Sequence, residues 1–332
     1  MKALKGIQFV ELASPRPEEL ARILLALGFS RTMEHRTRAI DLYQQGRIVF
    51  LVNREPGGHA ARFAEAHGPS VCSMGWSVRG DARDALALAL ARGATSGTGD
   101  HDLPAVSGIG ESLIYLAGAG DSFERLGFVP ARAPVRVPDK GFLTIDHITN
   151  NAAKGDMARW TAFYKEVFGF TEVRTFDIRG EKTGLHSYAL RAPCKNFSIP
   201  INEGTEAKSQ INEYLEEYRG PGIQHVALLT GDILGSLQDI EGVPFLDIEP
   251  SYYETVFHRV PGVTEDPRAI QAQSVLVDGD ADGYLLQIFT KNVIGPIFFE
   301  IIQRKNHLSF GEGNFGALFR SIERDQERRG YL

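Results

Sequence analysis

Two histidines and one glutamate stand where they could hold a metal. His147 lies in the run 143–149, His225 in 223–229 and Glu300 in 296–302, and each run is short, apolar and strand-like. An ionised carboxylate in an apolar strand is costly to bury unless it is paired or bound to a cation. Two imidazoles plus one carboxylate is the ligand set of non-haem Fe(II) oxygenases, which leaves three coordination positions for substrate and O2. The chain has nine histidines, so residue types alone leave a plainer reading open. In that reading the histidines are hydrogen-bonded at strand ends and Glu300 pairs with an arginine such as Arg304.

The segments that carry these residues belong to an internal repeat. Residues 7–11 open a strand, and Leu20, Ile23, Leu24 and Leu27 then mark one face of a helix that ends at Gly28-Phe29. Residues 145–149 open a second strand, and Trp160, Phe163, Tyr164 and Val167 repeat the helical spacing up to Gly169-Phe170. Residues 72–78 followed by 82–92, and 223–230 followed by 233–240, again read as strand then helix. This makes four strand–helix–strands units, two per domain. Three prolines among residues 130–141 predict an extended linker at 131–141, between domains at 1–130 and 142–332. The first half has Phe9 where the second has His147. The first domain is therefore expected to be structural, with a degenerate site, supplying packing or an oligomer surface.

Composition narrows the classes of function. A chain of 332 residues can form two domains, and 43% hydrophobic with 23% charged residues is ordinary for a globular protein. A net charge of −6 with no long basic run argues against nucleic acid as the partner. The first residues are too polar for a signal-peptide core, and no apolar stretch is long enough for a membrane span. Cys72 and Cys194 lie far apart in different domains, so no structural disulfide is expected and a cytoplasmic location fits.

The second half resembles 4-hydroxyphenylpyruvate dioxygenase, of the vicinal-oxygen-chelate superfamily. The resemblance rests on Ile145-Asp146-His147, Lys208-Ser209-Gln210-Ile211, Gly220-Pro221-Gly222-Ile223-Gln224-His225, Leu286-Gln287-Ile288-Phe289-Thr290, Phe299-Glu300-Ile301-Ile302-Gln303-Arg304 and Phe310-Gly311-Glu312-Gly313-Asn314-Phe315. The first half matches only in layout. The implied fold is α+β, each domain being two βαβββ units curled into an open half-barrel. The implied metal is Fe(II) on His147, His225 and Glu300. The implied reaction converts 4-hydroxyphenylpyruvate, an aromatic 2-oxo acid, and O2 to homogentisate and CO2 in tyrosine catabolism, in a homo-oligomer.

The resemblance also places residues around the substrate: Ser187, Pro200, Asn202, Gln210, Gln224, Gln287 and Asn314, with Phe289 and Phe315 sandwiching its ring. Neutral amides and hydroxyls suit a phenol that needs directional donors rather than charge. Gln224 adjoins His225, so strict alternation points it to the opposite face, where it would orient an imidazole through an intermediate group. Phe315, Leu318, Phe319 and Ile322 form the apolar face of a terminal lid helix with Gly311 and Gly313 as its hinge, and the charged residues 323–329 read as a solvated face. The close rival is 4-hydroxymandelate synthase, whose members tend to carry a smaller aliphatic residue at the position of Phe289. Extradiol ring cleavage and a non-enzymatic binding module are the remaining alternatives.

Overall fold

The computed structural model describes residues 4–332. The first domain runs β1 (Leu4–Ala13), α1 (Pro17–Ala26), β2 (Ser30–His35), β3 (Ile40–Gln45), β4 (Ile48–Asn53), α2 (His59–His67), β5 (Ser70–Val78), α3 (Ala82–Ala91), β6 (Ser96–Gly97), β7 (Ala105–Ser107), β8 (Leu113–Ala117) and β9 (Phe128–Val135). The second runs β10 (Phe142–Ala152), α4 (Met157–Ala162), β11 (Thr171–Arg179), β12 (Gly184–Arg191), β13 (Ser198–Gly204), α5 (Gln210–Tyr218), β14 (Gly222–Thr230), α6 (Ile233–Ser236), α7 (Pro250–Arg259), α8 (Pro267–Ala272), β15 (Leu276–Gly279), β16 (Tyr284–Phe289), β17 (Phe298–Lys305) and α9 (Phe315–Arg328).

Four βαβββ units form two curled sheets. The first has the order β6-β7-β8-β5-β1-β4-β3-β2-β9 and the second β11-β12-β13-β10-β14-β17-β16-β15. In each sheet the opening strands of the two units pair antiparallel at the centre, and each also pairs in parallel with the last strand of its own unit. The helix-ending glycines behave as their position in the sequence predicts. Gly28 and Gly169 take positive φ, of 83° and 76°, which a side chain would resist.

Two expectations change. The first part of the proline-rich segment is not a linker. Residues 128–135 form β9, antiparallel to β2 at the outer edge of the first sheet. Pro130 and Pro134 are tolerated there because an edge strand has one side without partners. The connection between domains shrinks to 136–141. The helix expected at 233–240 closes after one turn as α6, and the chain builds α7 and α8 before β15.

The hydrophobic core is continuous through both domains. Trp76 of β5 packs edge-on against Phe168 at 4.8 Å and also meets Phe170 and Phe197. Phe50 of β4 meets Phe299 of β17 edge-on at 5.8 Å. Phe299 points away from the cup while its neighbours Phe298 and Glu300 point into it, as alternation requires. The first domain thus packs behind the strand that carries Glu300.

Candidate active site

Strand register assembles the site. His147 on β10 is paired with Ala227 on β14, and Ala227 with Glu300 on β17. Thr149, His225 and Phe298 form the row two residues along, so both rows face the inside of the cup. His147 and Glu300 are two strands apart, about 10 Å at the backbone. The small Ala227 between them lets both side chains lean inward. The ligand atoms of His147, His225 and Glu300 all lie within 4.8 Å of one another. His147 Nε2 is 3.0 Å from Glu300 Oε2, and His225 Nε2 is 3.6 Å from the same oxygen.

Neighbouring groups fix both imidazoles. His147 Nδ1 is 2.8 Å from Asp146 Oδ2, and a carboxylate can only accept, so Nδ1 carries the proton and Nε2 faces the site. His225 Nδ1 donates to Gln224 Oε1 at 3.0 Å. Gln224 therefore reaches the ring directly, not through an intermediate group. The Thr149 hydroxyl meets His225 Nε2 at 2.9 Å, and Phe298 stacks on the His225 ring at 4.6 Å. Arg304 does not pair with Glu300. It takes both oxygens of Asp146.

The charges follow from this packing. Burial opposes a charged ring at His147, but the carboxylates of Glu300 and Asp146 outweigh it and push the ring up to about 9. Burial and the adjoining His147 hold His225 well below its ordinary value, so it is neutral. Burial would raise Asp146, yet His147 and Arg304 hold it far below the usual carboxylate range. Two inward nitrogens and one inward carboxylate oxygen, their outer sides already bonded, make a set that a divalent cation fits.

The three residues line one cleft. Its wall gathers Ser187, Pro200, Asn202, Gln210, Gln224, Gln287, Phe289 and Phe315, and Ser187 pairs across strands with Asn202. The Gln287 side chain is buried (the residue is 1% exposed), and neither its oxygen nor its nitrogen has a hydrogen-bond partner among the described residues. An orphaned amide of this kind, on the wall of a cleft, suits a bound ligand.

Asn314 is not in that wall. Its Oδ1 accepts from Tyr252 Oη at 2.7 Å and from Arg259, which ties the start of the lid helix to α7. Thr149, Phe176, Phe298 and Phe310 line the cleft without having been singled out from the sequence. Thr149 and Phe298 could have been found by stepping two residues from His147 and Glu300, whereas no periodicity points to Phe310.

Comparison with known proteins shows the family. Residues 2–126 match the family model described as "Hydroxyphenylpyruvate dioxygenase, HPPD, N-terminal", and residues 144–287 match "Glyoxalase/Bleomycin resistance protein/Dioxygenase superfamily". The chain is 51% identical to "Protein MelA" of Shewanella colwelliana, over 99% of this chain and 97% of that one. It is 42% identical to a 4-hydroxyphenylpyruvate dioxygenase of Legionella pneumophila (strain Corby), over the same shares of the two chains. The chain belongs to the 4-hydroxyphenylpyruvate dioxygenase family. Among solved structures, a xylose isomerase-like TIM barrel/4-hydroxyphenylpyruvate dioxygenase fusion protein superposes with a TM-score of 0.83 at 30% identity, covering 97% of this chain and 53% of that one.

The terminal helix α9 is held more firmly than its sequence suggests. Phe315, Leu318, Phe319 and Ile322 of α9 line the cleft, as their spacing predicts. The residues that follow are not simply a solvated face. Glu323 is 4% exposed and accepts bonds from the backbone N–H groups of Glu181, Lys182 and Thr183 and from the Thr183 hydroxyl, at 2.9–3.2 Å. One carboxylate thus clasps the tip of the β11–β12 hairpin, where three neighbouring N–H groups offer a concentrated positive field.

The first domain shows what the same scaffold does without a metal set. Phe9, Gly75 and Tyr115 occupy the row equivalent to His147, Ala227 and Glu300. The Phe9 ring lies over Gly75, where even a Cβ would come within 2.2 Å of it. Glu11 and Ser73 take the places of Thr149 and His225. The fully buried Glu11 is satisfied from within, by His101 Nε2 at 2.7 Å, Asn53 Nδ2 at 2.9 Å and the Ser73 hydroxyl.

Proposed function

We propose that the chain is a 4-hydroxyphenylpyruvate dioxygenase that uses Fe(II) on His147, His225 and Glu300 and converts its substrate and O2 to homogentisate and CO2. The observation that carries this reading is the convergence of those three side chains in one aromatic cleft. Fe(II) would supply a Lewis-acidic centre with open positions for the 2-oxo acid and for O2. A dication on Nε2 would displace the second proton of His147, and two neutral imidazoles, one carboxylate and the dication then sum to a single positive charge. That matches a substrate with one carboxylate, and no Lys or Arg lines the cleft to balance a second.

The protein's own part is positioning. Asp146 and Gln224 keep the two Nε2 atoms directed inward. Phe289, Phe298, Phe310 and Phe315 give the ring apolar faces, and offset aromatic contacts are worth roughly 0.5–1.5 kcal/mol each beyond burial. Ser187, Asn202, Gln210 and Gln287 offer neutral donors and acceptors for the phenol and oxo groups. The lid helix excludes water from the reacting groups. The two free cysteines suit a reducing cytoplasm, and no helix among the described residues is long and apolar enough to cross a membrane.

The test is anaerobic reconstitution with Fe(II), addition of 4-hydroxyphenylpyruvate and then O2, with products separated by chromatography. Homogentisate with about one CO2 released per O2 consumed is expected, and loss of both in His147→Ala. 4-Hydroxymandelate as product would move the reading to the rival synthase. Absence of O2 uptake with iron bound would overturn the substrate assignment.

A further inference from the structure

Arg304 makes more contacts than holding one carboxylate requires. Its side chain is 11% exposed, and Nε and Nη2 grip the two oxygens of Asp146 at 2.8 and 2.9 Å. The third nitrogen, Nη1, donates to the carbonyls of His307 and Ser309 at 3.1 and 2.6 Å. Those carbonyls belong to the loop that joins β17 to the lid hinge at Gly311. The same guanidinium lies 5.8 Å from the centre of the Phe310 ring, and that ring meets the His147 ring edge-on at 5.5 Å. A closed circuit results, from His147 through Asp146 and Arg304 to the loop, and back through Phe310 to His147. Outside this circuit the loop is held by His307 Nδ1, 3.6 Å from Asp280 Oδ2, by the Gly311 N–H donating to the Ser309 hydroxyl at 3.4 Å, and by Phe310 against Phe176 at 6.2 Å. Leu308 is 71% exposed, and Asn306 has a positive φ of 54°.

We propose that Arg304 is a positioning residue that couples metal binding at His147 to the order of the loop leading into the lid. The inference rests on the metal reading given under Proposed function. A cation on Nε2 fixes the His147 ring, and with it Asp146, the guanidinium and the two carbonyls behind it. Coupling of this kind is reciprocal, so a loop held by Arg304 favours metal binding by the same factor.

The experiment compares wild type with Arg304→Gln, using Zn(II) as a probe that needs no turnover. Hydrogen exchange of amides 306–314 is measured with and without Zn(II), and Zn(II) affinity by chelator competition. In wild type, Zn(II) is expected to slow exchange in this segment about tenfold. In Arg304→Gln that slowing disappears, and Zn(II) binds more weakly by the same factor, about tenfold. Unchanged exchange in β4 and β5 reports that the variant is folded. Arg304→Lys, which keeps the charge without the fork, takes its place if it is not. A merely structural arginine would loosen the loop equally with and without metal. Slowing by Zn(II) that persists in the variant, or wild type that binds Zn(II) with no change at 306–314, would overturn the coupling. Zn(II) bound equally well by His147→Ala would instead overturn the metal reading itself.

Discussion

Gln224 Oε1 lies 3.0 Å from His225 Nδ1, while Nε2 of the same ring faces His147 and Glu300. The amide therefore selects the tautomer whose free nitrogen points into the site. It does so from the adjacent residue, with no intervening group. Gln224→Leu removes the acceptor and leaves the ring free to turn. Metal affinity is expected to fall about 10–100-fold, as for other groups that orient a ligand. Chelator competition measures this, and an unchanged affinity would show that the amide serves only the cleft wall.

Phe289 stands directly opposite Glu300 across β16 and β17, and its ring meets Phe298 edge-on at 6.1 Å. It thus sets the wall nearest the ligand carboxylate. A smaller aliphatic side chain would leave room for the substrate ring to tilt. Phe289→Ile is expected to shift product from homogentisate toward 4-hydroxymandelate. A product ratio that stays at the wild-type value by chromatography would remove Phe289 as the discriminating residue.

The chemistry was more legible in the sequence than the scaffolding around it. His147, His225 and Glu300 stand out because charge in apolar strands needs a reason, and the alignment of Phe9 with His147 marks the first half as having no imidazole at that position. The lid face was legible because Phe315, Leu318, Phe319 and Ile322 obey a local period. Bonds between distant segments leave no such trace. Arg304 was a candidate partner for Glu300 until the fold brought Asp146 closer. Glu323 looked like a solvated residue because its partners are backbone N–H groups of a hairpin far away in sequence. Residues 131–135 of β9 read as linker because prolines suit both an extended connection and an edge strand, and only pairing with β2 separates the two.

The Glu323 clasp gives the lid a defined anchor. Glu323→Ala leaves three backbone N–H groups and the Thr183 hydroxyl without their acceptor, at a cost of about 1–3 kcal/mol. The hairpin tip and α9 should then loosen together. Limited proteolysis is expected to cut the variant faster both near residues 180–183 and within the last helix. Faster cutting at only one of the two places would show that the lid does not depend on this contact.

Glu11 links the first domain to the acid stability of the whole chain, since both domains share one core. Burial alone would raise its pKa, but His101, Ser73 and Asn53 outweigh burial and lower it to about 2. An unfolded glutamate titrates near 4.3. Above that value both states are ionised, and the folded network contributes its full stability. As pH falls from about 4.3 toward about 2, the unfolded chain takes up a proton that the folded chain refuses, so the contribution is lost. Glu11→Gln keeps the shape and removes the charge. The variant is expected to be less stable than wild type by about 1–3 kcal/mol at neutral pH. The difference should narrow steadily below about pH 4.3. Urea unfolding of both proteins across this range measures the gap. A gap that stays constant with pH would mean that the Glu11 charge contributes nothing to the folded state beyond its packing.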